Sequence, residues 1–358
     1  MEYLAPKASE IDEQNRFPVE TVRELAKLGF MGIAYPEEWG GAGADSLTEA
    51  IVVEEISYGC AATGSILTAH YLGLDGIFLY GNDEQKNTWL TPACDGRKLA
   101  AFCLTEPGAG SDVASVLTTA VLDGDEYVIN GTKHFITNAA YADFLVVYAM
   151  TDRSQRNRGL SAFIVDKGTP GLSFGSGDNK MGIRAARTYE VIFDNCRVPK
   201  ANRIGKEGEG FKIAMQVIDR GRIGVAAMAV GLSQAALDAA VAYAKQRVVF
   251  GHPIAEYQGI QWMIAEMAAD VVTARAITYE AAELRDSGLR ISKEAAIAKL
   301  FASEAAYRVV HKAVQIHGGS GYMKEYPVER FYRDQRILEL FEGTSQVQKM
   351  VIARHVFG

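Results

Sequence analysis

The chain is predicted to be α+β and mainly α: an N-terminal helical domain, a middle antiparallel β-barrel-like domain and a C-terminal four-helix bundle. Three observations carry this expectation. Apolar residues recur at spacings of three and four from Phe17 to about Gly96, the period changes to two between about Arg97 and Pro199, and after Gly210 long stretches rich in Ala, Glu and Lys return with few breakers. The expected domains are residues 1–97, 98–207 and 208–358.

In the first block, "VETVRELAKLGF", "SLTEAIVVEEISYG" and "DEQKNTWLTPACDG" read as helices separated by glycine-rich breaks such as "EEWGGAGAD". The middle block carries the short β-rich runs "LAAFCL", "YVINGTKHFIT", "FLVVYAM", "SAFIVD" and "YEVIFDN". Within the second of them, Asn130-Gly131 predicts a hairpin turn, because a two-residue primed turn needs positive φ at both positions. Four long helices are then expected near 209–247, 257–288, 292–317 and 345–356, a number and length that suit an antiparallel bundle. No repeat, low-complexity tract or long linker interrupts this order.

With 358 residues and 48% apolar content the chain can bury a large core. A net charge of −7 argues against nucleic acid as a partner, since phosphate binding needs a basic face. Cys60, Cys94, Cys103 and Cys196 show no CxxC spacing, so neither a disulfide frame nor a thiolate zinc site is expected and a reducing compartment fits. The six histidines form no HExxH pattern, so no metal is expected, and the absence of GxSxG leaves nucleophilic hydrolysis unsupported. The start "MEYLAPKASEIDEQNRFP" is polar and no later apolar run reaches the roughly 18 residues of a membrane span, which predicts a soluble intracellular protein without one.

Four stretches are candidates for chemistry. In "LELFEGTSQVQ", Gly343 permits a turn, and Ser345 with Gln348 three residues later has capping-box spacing. Glu342 just before that helix reads either as a carboxylate favoured by positive helix-end amides or as a base held in an apolar pocket. "EPGAGSD", residues 106 to 112, follows a strand, and its glycines let backbone N–H groups approach a ligand; without GxGxxG it is equally an ordinary loop. In "VIDRGRIGVAAMAVG", Gly221 costs a helix about 1 kcal/mol relative to alanine, so the space is needed by a packed neighbour or by a ligand. Arg222 there either clamps an anionic ligand group or pairs with Asp219. "IHGGSGYM" is a glycine turn ending a helix, able to admit a polar ligand.

Together "AFCLTEPGAGSDV", "GTKHFITNA", "IDRGRIGVAAMAVG", "VFGHPIAEYQGIQ", "QIHGGSGYM" and "RFYRDQRILELFEGTSQVQKMVIARH" resemble the acyl-CoA dehydrogenases, in order over nearly the whole chain. The resemblance implies an FAD enzyme that oxidises an acyl-CoA to its trans-2-enoyl-CoA. It also implies a homotetramer that passes electrons to electron-transferring flavoprotein. Glu342 would be the base that removes the α-proton, its backbone N–H binding the thioester oxygen. Phe102, Leu104, Thr105 and Ser111 would line the flavin and the substrate channel, and Phe135 and Thr137 would pack on or bond to the isoalloxazine. Arg247, Phe250, Gln258, Gln315, Gly318 and Gly319 resemble residues that reach the FAD pyrophosphate and adenosine across a subunit interface. Thr344 and Gln346 would meet the cofactor near a helix start, while Ser111, Asp219, Gly221, Arg222 and Gly343 fall at substrate-side positions.

Phe135 stands where many members have tryptophan, which keeps a stacking ring and loses an indole donor. The chain also starts about one helix later than is usual in the family. "DRGRIG" looks most like the short-chain, butyryl-CoA type, with short-branched-chain substrates as the near alternative. An acyl-CoA oxidase, an enoyl-CoA reductase, an enzyme of carrier-protein-bound acyl groups and a non-catalytic acyl-CoA-binding protein share the scaffold. The expected location is the cytoplasm, or the mitochondrial matrix if a transit peptide has been removed.

Overall fold

Why a predominantly apolar helix should lie at the centre of the N-terminal part follows from its sequence. In the computed structural model, which describes residues 3–358, helices α1 (Ala5–Glu13), α2 (Val19–Lys27) and α3 (Ser46–Gly59) lead into α4 (Ala61–Tyr80), and every residue from Ala61 to Ile77 of α4 is buried. A helix surrounded on all sides needs no amphipathic stripe, so spacing alone does not reveal α4. Asp45 caps α3 by accepting from the Thr48 N–H at 2.7 Å. Two short helices, α5 (Asp83–Gln85) and α6 (Thr91–Cys94), flank a π-helical turn and close this part.

The middle of the chain forms an eight-stranded sheet: β1 (Ala100–Cys103), β2 (Thr119–Asp123), β3 (Glu126–Thr137), β4 (Phe144–Met150), β5 (Leu160–Asp166), β6 (Leu172–Gly177), β7 (Thr188–Pro199) and β8 (Arg203–Ile204). Its order is β6-β7-β3-β2-β4-β5-β8, with β1 added beside β4. Pairing is antiparallel except for β1 with β4 and the single β2–β4 pair. Alternation explains why β4 is buried throughout. Phe144, Val146, Tyr148 and Met150 face the helices and join the main core, whereas Leu145, Val147 and Ala149 face a second core inside the sheet.

The hairpin expected at Asn130-Gly131 is not there. β3 runs through both residues, and the chain reverses at Gly124-Asp125, between Asp123 and its partner Glu126. Asn130-Gly131 instead marks a register shift against β7, with the Asn130 side chain accepting from the Asn195 N–H at 2.7 Å. A Cβ on Gly131 would sit 2.5 Å from the Thr118 hydroxyl oxygen, so glycine here serves close packing.

Helices α7 (Gly210–Gln246), α8 (Gln258–Asp286), α9 (Ser292–His317) and α11 (Ser345–Phe357) match the four expected long segments closely. A short α10 (Val328–Gln335) lies between α9 and α11. α7 packs against α9, α8, α3 and α4 and is the central column of the molecule. It is long and apolar enough in composition to cross a membrane, but 67% of its most apolar stretch is buried inside the protein, as in a core helix. The capping box also shifts. Thr344, not Ser345, caps α11 by accepting from the Val347 N–H at 3.3 Å, and Ser345 is buried as the first helical residue.

Candidate active site

A cavity of about 750 Å³ lies where the three parts meet. Two helical stripes with the same spacing line it: Ser65, Thr68, Ala69 and Leu72 from α4, and Ile218, Gly221, Arg222 and Val225 from α7. Each runs i, i+3, i+4, i+7, the spacing that puts four side chains on one helix face. The opposite wall comes from the sheet, through Phe102, Leu104, Thr105, Ser111, Phe135 and Thr137, and the end wall from Leu340 to Thr344. Thus the structure brings together Phe102, Leu104, Thr105, Ser111, Phe135, Thr137, Gly221, Arg222, Glu342, Gly343 and Thr344 of the residues singled out in the sequence.

Others lie elsewhere. Asp219 is absent from the lining and holds Arg222 instead, its Oδ1 accepting from Arg222 at 2.6 Å and its Oδ2 from the Ser292 hydroxyl. The ion pair with Asp219 is formed, and Arg222 lines the cavity as well. Arg247, Phe250, Gln258, Gln315, Gly318, Gly319 and Gln346 are exposed and outside the cavity. The first six gather at one end of the bundle, where Tyr243 of α7 stacks on His317 of α9 with ring centroids 4.3 Å apart. Gly318 ends α9 with φ +58, as the glycine-turn reading expects.

Glu342 occupies the turn between a 3₁₀ segment (Arg336–Glu339) and α11. Its φ is +52 and that of Gly343 is +91, so two consecutive residues hold left-handed backbone, the first against its side-chain preference. The carboxylate Oε2 is buried and has no hydrogen-bond partner among the described residues, although the residue keeps some surface toward the cavity. Burial raises its pKa to about 7, against the opposing pull of Arg222 and Lys299. Across the cavity, a Cβ on Gly221 would lie 3.3 Å from that same Oε2 and 2.6 Å from Leu72 Cδ2. Gly231, ten residues on, answers to packing alone, since its Cβ would meet the Glu54 carbonyl of α3 at 2.1 Å.

The sheet wall rests on a buried ion pair that sequence reasoning missed. Lys133 is fully buried, and its Nζ donates to Glu106 Oε1 and to the Leu104 carbonyl, both at 2.9 Å. Glu106 also accepts from the Leu117 and Thr118 N–H groups at 2.6 and 2.9 Å. Burial acts to raise the Glu106 pKa, but Lys133 and these donors outweigh it and hold the carboxylate low. The "EPGAGSD" loop is therefore pinned at its first residue, while Gly108 and Gly110 face open space. Phe135 has φ +58 and is 61% exposed, its ring edge-on to His134. A large ring held so exposed at a cavity wall is poised to cover something flat.

The whole chain has relatives. Residues 1–97, 101–196 and 208–357 match the N-terminal, middle and C-terminal domains of acyl-CoA dehydrogenase. The chain is 50% identical to an acryloyl-CoA reductase (NADH) of Anaerotignum propionicum, over 99% of this chain and 90% of that one. It is 49% identical to the mitochondrial short-chain specific acyl-CoA dehydrogenase of Rattus norvegicus, over 99% of this chain and 86% of that one. The solved structure of butyryl-CoA dehydrogenase from Megasphaera elsdenii superposes with a TM-score of 0.98 at 43% identity, covering 99% of this chain and 94% of that one.

Proposed function

Because the chain belongs to the acyl-CoA dehydrogenase family, we propose that it is an FAD-dependent enzyme that converts a short-chain acyl-CoA to the trans-2-enoyl-CoA. The observation that carries this reading is Glu342 Oε2, buried, unpartnered and facing the side-chain-free position of Gly221. A saturated thioester α-carbon is a very weak acid, so its carbonyl must be polarised by fixed donors while a base waits close and dry. Glu342 supplies both parts: its carboxylate takes the α-proton, and its N–H, which donates to no acceptor among the described residues, takes the thioester oxygen. Arg222, held by Asp219, keeps positive charge beside the carboxylate.

The residues fit FAD. Phe102, Leu104, Phe135 and the hydroxyls of Thr105 and Thr137 offer a flat apolar wall with polar edges, and Thr344 presents a helix N-terminus. When bound, FAD supplies the acceptor for the hydride that leaves the β-carbon. Arg247, Phe250, Gln258, Gln315, Gly318 and Gly319 lie outside this cavity on an exposed end of the bundle, which suits the reading that they serve the dinucleotide of another subunit. We therefore propose a homotetramer or dimer, with domains at 1–97, 98–207 and 208–358. Electron-transferring flavoprotein is the proposed acceptor and fatty acid β-oxidation the proposed setting, in the cytoplasm or mitochondrial matrix.

A second reading has a specific observation behind it, the 50% identity to a protein named as an acryloyl-CoA reductase. In that direction Glu342, protonated near neutral pH, returns the proton to the α-carbon. Anaerobic mixing with butyryl-, isobutyryl-, 2-methylbutyryl- and octanoyl-CoA separates the two. Flavin bleaching by the short acyl-CoA supports dehydrogenation. Failure to bleach, with reoxidation of the reduced enzyme by an enoyl-CoA, supports the reductase. Oxygen consumption in place of flavoprotein reduction would identify an oxidase.

A further inference from the structure

Lys299 of α9 has no exposed surface, which an ammonium tolerates only when its charge and protons are used. Its Nζ donates to the Gly343 carbonyl at 2.7 Å. Gln348 of α11, equally buried, donates through Nε2 to the carbonyls of Glu342 at 3.1 Å and Gly343 at 2.7 Å. Two consecutive carbonyls are thus drawn toward α9 and α11. The N–H groups of the same two residues donate to no acceptor among the described residues.

We infer that Lys299 is a positioning residue for the proposed base: with Gln348 it clamps the Glu342-Gly343 carbonyls and so fixes the turn that carries the carboxylate. The inference rests on the reading of Glu342 given above. The clamp also explains how Glu342 is kept at positive φ, a conformation that persists only when its surroundings over-determine it.

Charge adds a second effect. The charged groups facing Glu342 are Arg222 of α7, tied to Asp219, and Lys299 of α9; α4 presents Leu72 and α11 the Gln348 amide. Around Lys299 stand Glu342, Arg222, Glu339 and Glu304, the last paired with Lys349 of α11. Burial lowers the Lys299 pKa to about 8, which leaves it cationic at neutral pH and able to restrain the upward shift of Glu342.

The test compares FAD-loaded Lys299→Met and Gln348→Leu with the unaltered protein. Both variants should lower kcat for butyryl-CoA by about 10- to 100-fold, the scale of a misplacement approaching 1 Å, with little change in KM. Only Lys299→Met should move the acid limb of the kcat profile to higher pH, by about half a unit or more. A readout independent of turnover is the melting temperature of the FAD-loaded protein against pH, without substrate. Glu342 has a raised pKa, so its ionisation removes stability as pH rises from about 4.5 to about 7. In Lys299→Met that decline should deepen and extend to higher pH, and adding Glu342→Gln should abolish the difference. Unchanged kcat and pH limb in Lys299→Met, or a uniform loss of stability at every pH, would overturn the inference. If Lys299→Met does not fold, normal kcat in Gln348→Leu overturns the clamp. An unaltered protein that no acyl-CoA reduces would instead sink the proposed function, leaving the melting curves to judge the Lys299–Glu342 coupling.

Discussion

Gly221→Ala adds one methyl group at the point where α7 faces the proposed base. The new Cβ would lie 2.6 Å from Leu72 Cδ2, well inside the ~3.5–4.0 Å of an ordinary carbon contact, so Leu72 must move by about 1 Å. Overpacking costs about 1–3 kcal/mol, and the low end applies because the displaced atom is a side-chain tip bordering the cavity. Replacing a helical glycine returns about 1 kcal/mol. The net change in stability is therefore within about 1 kcal/mol of zero, rather than the clear gain that helix propensity alone predicts. Activity should respond more strongly. The methyl sits 3.3 Å from Glu342 Oε2, in the space an α-carbon must enter to reach about 3–3.5 Å from the base. We expect kcat/KM for butyryl-CoA to fall by about 10- to 100-fold, with a larger loss for isobutyryl-CoA, whose methyl branch on the α-carbon needs more of the same space. Steady-state kinetics on four acyl-CoAs and thermal melting provide the measurement. A variant with four unchanged specificity constants would mean that Gly221 serves helix packing only.

Three further outcomes follow from the site. Glu342→Gln should retain FAD and lose about 10²–10⁴-fold in flavin reduction, and in the unaltered enzyme kcat should rise with pH through about 7 as the carboxylate loses its proton; near-normal reduction by the variant would assign the base elsewhere. Phe135→Ala should weaken FAD binding by about 0.5–1.5 kcal/mol, read by flavin fluorescence titration, without a large change in the melting of the cofactor-free chain, because the ring is 61% exposed. Lys133→Met should cost about 3–5 kcal/mol in denaturant unfolding, because Glu106 is left buried without its cation; a cost under about 1 kcal/mol would show that the Leu117 and Thr118 N–H groups satisfy it alone.

What the sequence reveals depends on whether a residue's local pattern matches its tertiary use. The α7, α8, α9 and α11 spans are legible because they are long, rich in helix formers and bounded by breakers. α4 is not, since burial on every side erases its stripe. Asn130-Gly131 carries a turn signal, yet contact with Thr118 decides the glycine there and the strand continues. Lys299 reads as an ordinary charged residue of an amphipathic helix, and nothing in its neighbourhood announces that its one acceptor lies forty-four residues away. Gln348 has capping-box spacing from Ser345, but its amide goes to the carbonyls of Glu342 and Gly343. Glu342 is visible as an acid before a helix; its isolation from hydrogen-bond partners is not, because it depends on the tertiary surroundings, with Gly221 of α7 facing the carboxylate.

The position of the proposed base on a turn, rather than on α7 across the cavity, has a chemical consequence. A carboxylate borne by α7 at position 221 could reach the same space, since the two sites are within one side chain of each other. Its backbone N–H, however, would belong to the helix ladder, where each amide is spent on the carbonyl four residues earlier. At Glu342, outside any helix and in left-handed backbone, that N–H has no acceptor among the described residues. On the proposed reading one residue would contribute both the proton acceptor and a donor for the oxygen on which negative charge develops, fixed relative to each other by covalent geometry. Any shift of the turn displaces the two together, so the alignment between base and donor survives small motions that would separate groups borne on different helices.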